Sequence, residues 1–178
     1  ALAADGVAAQ AVLNTFVAGA AGMVAWLAIE WKRDGHATTL GGASGVVAGL
    51  VAITPAAGFV GGLAPIIFGF VASVACYFAI QLKTKYGYDD SLDVVGIHMV
   101  GGIVGGVLLG FFADASIGGV DGAFFGDGGL VLSQIIAIVS VMIYSFVVTY
   151  GIAKVLDNLM GLRVGSDKEL TGLDQTQH

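Results

Sequence analysis

Five long apolar stretches, separated by short polar or glycine-rich segments, organise the 178-residue chain. Each has about twenty residues or more, which is the length of a helix that crosses a bilayer. None alternates polar and apolar positions as the strands of a membrane barrel do. The pattern therefore predicts an all-α, polytopic membrane helix bundle with five transmembrane helices. We expect these helices at residues 8–31, 38–59, 63–82, 93–112 and 130–153.

Composition agrees with a membrane protein and limits the possible partners. Hydrophobic residues make up 57% of the chain and charged residues 11%, about half of the charged fraction that a soluble domain carries. The net charge of −6 and the lack of a basic patch argue against binding to nucleic acid. We expect residues 1–153 to form the transmembrane bundle and residues 154–178 to form a cytosolic C-terminal tail.

The basic residues predict the orientation of the bundle. All seven fall after the first, third or fifth helix, so that alternating helices would bring them to one side of the membrane. Cytoplasmic loops are enriched in such residues, which predicts a multi-pass protein of the cell membrane with its N-terminus outside and its C-terminus inside. The residues are Lys32, Arg33, Lys83, Lys85, Lys154, Arg163 and Lys168.

Glycine spacing predicts which helices pack most closely. The second helix has Gly41, Gly45 and Gly49, and the fourth has Gly101 and Gly105, each one turn after the last. Such a strip lets another backbone approach, because no side chain stands between the two helices. We therefore expect these two helices at the crowded centre. The fifth helix has almost no glycine, which is typical of a peripheral helix that faces lipid.

His98 is the ionisable residue inside the fourth apolar stretch. A polar group in hydrocarbon is costly and is a functional-site hypothesis by default, although a packing role against a neighbouring helix is the simpler alternative. Burial disfavours the imidazolium, and a neutral imidazole both donates and accepts a hydrogen bond. This chemistry suits a small hydrogen-bonding solute or a proton. A lone histidine gives little support to a metal site or a haem ligand.

Other polar residues near helix ends have simpler explanations. Asp93 is expected to cap the fourth helix and compensate its dipole, and Glu30 is expected at a solvated helix end. Thr54 precedes Pro55, where it can bond within a helix kink or line a pore. The sequence shows no nucleophile elbow, phosphate-binding loop or zinc pattern, so we expect neither an enzyme nor a cofactor.

Four parts of the chain resemble the ammonium transporter (Amt/Mep/Rh) family. Residues 93–105, Asp-Val-Val-Gly-Ile-His-Met-Val-Gly-Gly-Ile-Val-Gly, are similar to the family's tenth helix. Residues 43–58 and 14–31 are similar to its eighth and seventh helices. The segments Gly-Leu-Arg-Val at 161–164 and Gly-Leu-Asp at 172–174 are similar to the tail that follows the eleventh helix.

This resemblance implies a homotrimer of eleven-helix subunits, each with one pore for ammonium or ammonia. By the same resemblance, His98 is one of two pore histidines and Val94 lines the pore beside it. Six further helices are then expected before this chain, which alone should not conduct. The resemblance also implies that the tail, at Gly161, Gly172 and Asp174, contacts a cytosolic P-II signal-transduction protein. A membrane ammonium sensor that signals through this tail is the alternative.

Overall fold

A computed structural model describes residues 3–176, and these residues contain helices and no strand. The long helices are α1 (Gly6–Asp34), α2 (Thr39–Ile53), α3 (Ala64–Tyr86), α4 (Val100–Phe112) and α6 (Gly129–Met160). A π-helical turn, Val94–Met99, leads directly into α4. The short helices are α5 (Ala115–Gly118), a 3-10 turn (Ala123–Phe125), α7 (Ser166–Thr171) and α8 (Leu173–Thr176). The prediction of an all-α fold is confirmed.

The chain forms two compact units, the first up to Ile138 and the second from Val139 onward, so α6 belongs to both. In the first unit, α1, α2 and α3 pack against one another, and α4 packs against α2 and α3. One buried cluster contains Ile53 and Phe68, and the other contains Trp26 and Cys76. Small residues fill most of the remaining core, so the backbones of these helices lie close together.

Glycine allows the closest approaches between helices. A Cβ on Gly45 would lie 2.6 Å from the carbonyl oxygen of Gly22, and a Cβ on Gly49 would overlap the carbonyl of Ala18. On α4, a Cβ on Gly105 would overlap the backbone of Ala52. Real Cβ atoms do not approach backbone atoms so closely, so any larger residue at these positions would separate the helices.

Four segments of the described chain are long and apolar enough to cross a membrane: Gly6–Asp34, Ala64–Tyr86, Val94–Phe112 and Gly129–Met160. The second predicted helix is shorter than expected, because α2 ends at Ile53 rather than at residue 59. At 1.5 Å per residue its 15 residues cover about 22 Å. Turns over residues 54–59 complete its path. Thr54 and Phe59 are exposed, but Ala56 is buried and the residues beside it are partly buried. The middle of this irregular backbone therefore lies against protein, where it is tolerated in a membrane.

The two ends of the first unit are held by different kinds of contact. At one end, the Tyr77 hydroxyl donates to Asp34 (2.9 Å), and the guanidinium of Arg33 lies over the Tyr77 ring. At the other end, Asn14 donates to the carbonyls of Ala57 and Val60 at 2.8 and 2.6 Å. The basic residues in the last turn of α1 and in the last turn of α3 therefore belong to the same end, as alternating helices require.

Glu30 corrects one sequence-based expectation. It is 9% exposed, so it does not lie at a solvated helix end. Its carboxylate accepts hydrogen bonds from the backbone N–H of Thr38 (2.8 Å) and from the indole N–H of Trp26 (3.3 Å). A buried carboxylate needs such donors, because burial otherwise disfavours its charge. Glu30 thereby ties the end of α1 to the start of α2.

Candidate functional site

His98 lies in the π-helical turn that precedes α4. In this turn the N–H of Val100 reaches the carbonyl of Val95, five residues back, instead of the four of an α-helix. One face of the turn is buried, with Gly96 and Ile97 directed into the bundle. His98 and Val94 are exposed on the first unit and are four positions apart in the sequence. Such short π-helical segments are frequent at functional sites.

The exposed face around His98 is open. Gly102, one turn further along, has no atom within 4 Å of the position that a Cβ would take, whereas Gly101 and Gly105 on the adjacent face contact neighbouring helices. Within residues 3–176, the imidazole of His98 has no hydrogen-bond partner. The described residues therefore do not enclose the ring, although the sequence predicts that it is buried. They do not make His98 a packed core histidine either, so its nitrogens are available to a group outside the described contacts.

The cap of the π-helical turn differs from the prediction, which gave that role to Asp93. Asp90 fills it instead, because its two carboxylate oxygens accept from the N–H groups of Val94 and Val95 at 2.8 and 2.9 Å. Asp93 pairs with Lys83 at 2.5 Å and makes no side-chain cap. Its backbone has φ +55°, the left-handed region that few residues other than glycine adopt. This strained backbone turns the chain into the helix.

Thr54 is not brought near His98. It follows the last residue of α2, and its hydroxyl donates to the carbonyl of Leu50 (2.6 Å), which is the kink-type bond. The chain after α4 joins this region through the N–H of Asp114, which donates to Phe59 (2.9 Å). Thr54 is thus at the end of the bundle opposite to the turn that carries His98. It lines a cavity of about 430 Å³ with Asp5, Pro55, Phe59 and Ile117 among its neighbours.

The tail residues belong to the second unit and have local structural roles. Gly161 follows α6 at φ +76°, and Gly172 follows α7 at φ +106°, both favourable for glycine at a helix end. Asp174 lies in α8. Arg163 and Glu169 form a two-pronged ion pair at 2.8 and 3.0 Å, which lowers the pKa of the Glu169 carboxyl because the guanidinium stabilises its charge. The segment after α6 is therefore ordered by local contacts.

Several contributors to the site region were missed from the sequence. Asp90 and Lys83 were not singled out, although an aspartate four residues before the first helical position can reach its N–H groups. The π-helical turn has no sequence signature that we could have used. Across residues 3–176 no group of three or more His, Cys, Asp or Glu side chains could hold a metal ion.

Comparison with known proteins gives a consistent result. A family model described as "Ammonium Transporter Family" matches residues 1–178. The ammonium transporter of Bacillus subtilis (strain 168) is 45% identical over 181 residues, which are all of this chain and 45% of that protein. The ammonium transporter of Aquifex aeolicus (strain VF5) is 49% identical over 179 residues, again all of this chain and 42% of that protein.

Solved structures agree with the sequence comparison. The crystal structure of Saccharomyces cerevisiae Mep2 superposes with a TM-score of 0.85 at 33% identity, over 91% of this chain and 38% of that one. The described bundle is therefore similar to part of a known polytopic helical fold. The chain spans less than half the length of the relatives it matches.

Proposed function

This chain belongs to the ammonium transporter family, and on that premise we propose that it forms the part of an ammonium transporter that contributes one pore histidine, His98. The observation that carries the proposal is the open face of the π-helical turn. An imidazole there, on an apolar membrane-spanning segment and without a hydrogen-bond partner among the described residues, is available to a solute. A group left without a partner in hydrocarbon would be costly.

The physical reason for a histidine is the cost of moving a bare cation. Transferring an ammonium-sized ion into a medium of low dielectric constant costs on the order of 20 kcal/mol by an idealised Born calculation. Neutral ammonia avoids most of this cost. A neutral imidazole accepts a hydrogen bond from ammonia at one ring nitrogen and donates one at the other. We therefore propose that His98 binds ammonia in the pore and relays a proton with a second histidine outside this chain.

Val94 and Thr54 take different places in this proposal. Val94 is half-exposed on the same turn as His98, which suits an apolar residue that lines the pore next to it. Thr54 lies in the cavity at the other end of α2, so we propose that it acts at a pore entrance rather than beside the histidine. Gly41, Gly45, Gly49, Gly101 and Gly105 act indirectly, by packing the helices that carry these groups.

We further propose the arrangement in the membrane. The complete protein would be a homotrimer in the cell membrane, with the N-terminus of this chain outside and its C-terminus in the cytoplasm. The shared end of Arg33 and Lys83 supports this orientation, because basic residues favour the cytoplasmic side. The segment with Gly161, Gly172 and Asp174 would be the surface for a cytosolic P-II protein. A sensor function is less favoured, because the relatives that cover the whole chain at 45% and 49% identity are named transporters.

The proposal is tested in a chimera in which this chain replaces the matching residues of the Bacillus subtilis relative. The chimera, reconstituted into liposomes, should take up ammonium or its analogue methylammonium. His98→Ala should abolish that uptake or uncouple it from proton movement, because the pore loses its hydrogen-bonding group. Met99→Ala, which changes an exposed neighbour in the same turn, should leave uptake within about twofold.

Two results would contradict the proposal. One is a chimera that assembles in the membrane but takes up no ammonium. The other is a His98→Ala variant whose uptake and current equal those of the parent chimera.

A further inference from the structure

The segment between α3 and the π-helical turn is held at one point by Lys83. Its ammonium donates to the carboxylate of Asp93 (2.5 Å) and to the backbone carbonyl of Asp90 (3.2 Å). The same Asp90 accepts from the first two N–H groups of the turn through its side chain. Lys83 therefore contacts both residues that set the start of the turn, although it belongs to α3.

Helix α3 contacts the turn at three points along one face. The Cys76 thiol lies 3.5 Å from the carbonyl of Ile97, and a Cβ on Gly96 would lie 2.5 Å from the side chain of Ile80. Lys83 provides the third point, about one turn further along α3. The Cys76 and Ile80 contacts are on the buried side of the turn, and the Lys83 contact is partly exposed. None of them covers the face with His98, which is left open.

Two features of this segment suggest that its conformation depends on the Lys83 contact. Asp93 has a left-handed backbone, which costs free energy in a residue other than glycine and persists where its surroundings hold it. The π-helical hydrogen bond is a local departure from the more favourable α-helical pattern. If Asp93 and Asp90 were free to move, the turn could rewind toward an α-helix, and each side chain within it would rotate about the helix axis.

We propose that Lys83 is a positioning residue for His98, and this inference rests on the function proposed above. Lys83 does not touch the solute. It holds Asp93 in its left-handed conformation and Asp90 in its capping position, and these two residues keep the turn that directs the imidazole to the open face. The side chains of Lys83 and Asp93 are 31% and 25% exposed, so solvent screens the pair. Its loss should therefore change the geometry of the turn more than the stability of the bundle.

The variants are made in the chimera, and hydrogen exchange of the backbone amides is measured together with ammonium uptake. Lys83→Met keeps the length of the side chain and removes its charge. It should speed exchange at Val94 and Val95 by about twofold or more, because even the smallest interaction energies between coupled residues correspond to about that factor in an equilibrium constant. Uptake should fall in parallel. Lys83→Arg should keep both the exchange rates and the uptake close to those of the parent chimera, since a guanidinium can reach the same carboxylate.

Lys85→Met is the matched control, because Lys85 lies on the same turn of α3 but over the Tyr86 ring at 5.5 Å. It should change neither exchange at residues 94–99 nor uptake. Asp93→Asn keeps a residue type that tolerates the left-handed backbone but removes the charge. It should reproduce the effect of Lys83→Met, and the double variant should be no worse than either single one.

The outcomes separate this inference from the proposed function. Unchanged exchange at Val94 and Val95 in Lys83→Met would overturn the positioning role, whatever uptake shows. Faster exchange with unchanged uptake, in a chimera that His98→Ala inactivates, would also overturn it. If His98→Ala leaves uptake intact, the proposed function fails, while the exchange data still decide whether Lys83 holds the turn.

Discussion

Helices α2 and α6 are both strongly apolar, yet seven of the 15 residues of α2 are buried and none of the 32 residues of α6 is. The buried residues of α2 are four glycines, two alanines and one isoleucine. Helix α6 instead exposes large side chains such as Ile143 and Phe146. In a membrane, lipid solvates an apolar side chain as well as protein does, so apolarity alone does not predict burial.

Residue size explains the difference between these helices. At Gly45 and Gly49 of α2, backbone atoms of α1 occupy the space that a Cβ would take. At Gly151 of α6, nothing lies within 4 Å of that position. Dispersion contacts between closely approaching backbones replace the hydrophobic effect as the source of packing energy. A glycine in an apolar helix therefore contributes to packing where another backbone lies against it, as at Gly45 and Gly49, and not where its surroundings are empty, as at Gly151.

The largest expected effect comes from adding one methyl group to α2. Gly49→Ala would bring a Cβ to within 2.9 Å of the carbonyl carbon of Ala18 and 3.2 Å of the Cα of Gly19. Neither backbone atom can rotate away, so we expect a loss of about 3 kcal/mol or more in the free energy of unfolding. Unfolding in mixed detergent micelles, followed by circular dichroism, measures this loss.

Gly151→Ala is the matched control for that experiment. It should be neutral or slightly stabilising, because alanine favours helix formation over glycine and meets no neighbour here. Equal effects of the two substitutions would show that glycine spacing does not distinguish packed helices from exposed ones.

Much of this contrast was predictable from the sequence. The strip at Gly41, Gly45 and Gly49 gives one helix a face without side chains, and the near absence of glycine in the fifth helix predicts a peripheral position. The early end of α2 was not predicted, although Pro55 marked an interruption. The helix can end early only where the carbonyls of the following turns accept hydrogen bonds from another part of the chain. The side chain of Asn14 in α1 donates such a bond, from 43 residues away in the sequence.

The candidate site was harder to predict because its polar residues depend on the path of a loop. From sequence, Asp93 is the acidic residue next to the fourth helix, so it is the expected cap. In the structure, a left-handed backbone at Asp93 brings Asp90 to the N–H groups instead. Glu30 is similar, since its burial depends on a donor from Thr38 in the next element. Neither arrangement follows from spacing along a single helix.

A smaller effect is expected from hydroxyl groups in the two environments. The buried Ser73 hydroxyl of α3 donates to the carbonyl of Gly22 (2.8 Å) and lies 3.3 Å from that of Gly45, so it joins α1 and α2. Ser73→Ala should destabilise the bundle by about 1 kcal/mol, the typical value for such a hydrogen bond. Ser133→Ala removes an exposed bond within α6 and should stay within about 0.5 kcal/mol. The same unfolding assay measures both, and a larger loss for Ser133→Ala would contradict the comparison.

The smallest effect concerns the segment after α6, where charge rather than close packing provides order. The Arg163 guanidinium lowers the pKa of the Glu169 carboxyl, so the pair stabilises the folded segment above the ordinary pKa of glutamate. This contribution is lost as the pH falls through the lower pKa of the folded state. Titration of the Glu169 carboxyl carbon by NMR should give a value below 4.5, and Arg163→Gln should raise it. Lys168→Gln, which removes a neighbouring charge outside the pair, should change it less. An unchanged pKa of the Glu169 carboxyl in Arg163→Gln would mean that the ion pair does not hold this segment. The segment after α6 would then differ from the glycine-packed helices in having neither close packing nor a fixed ion pair.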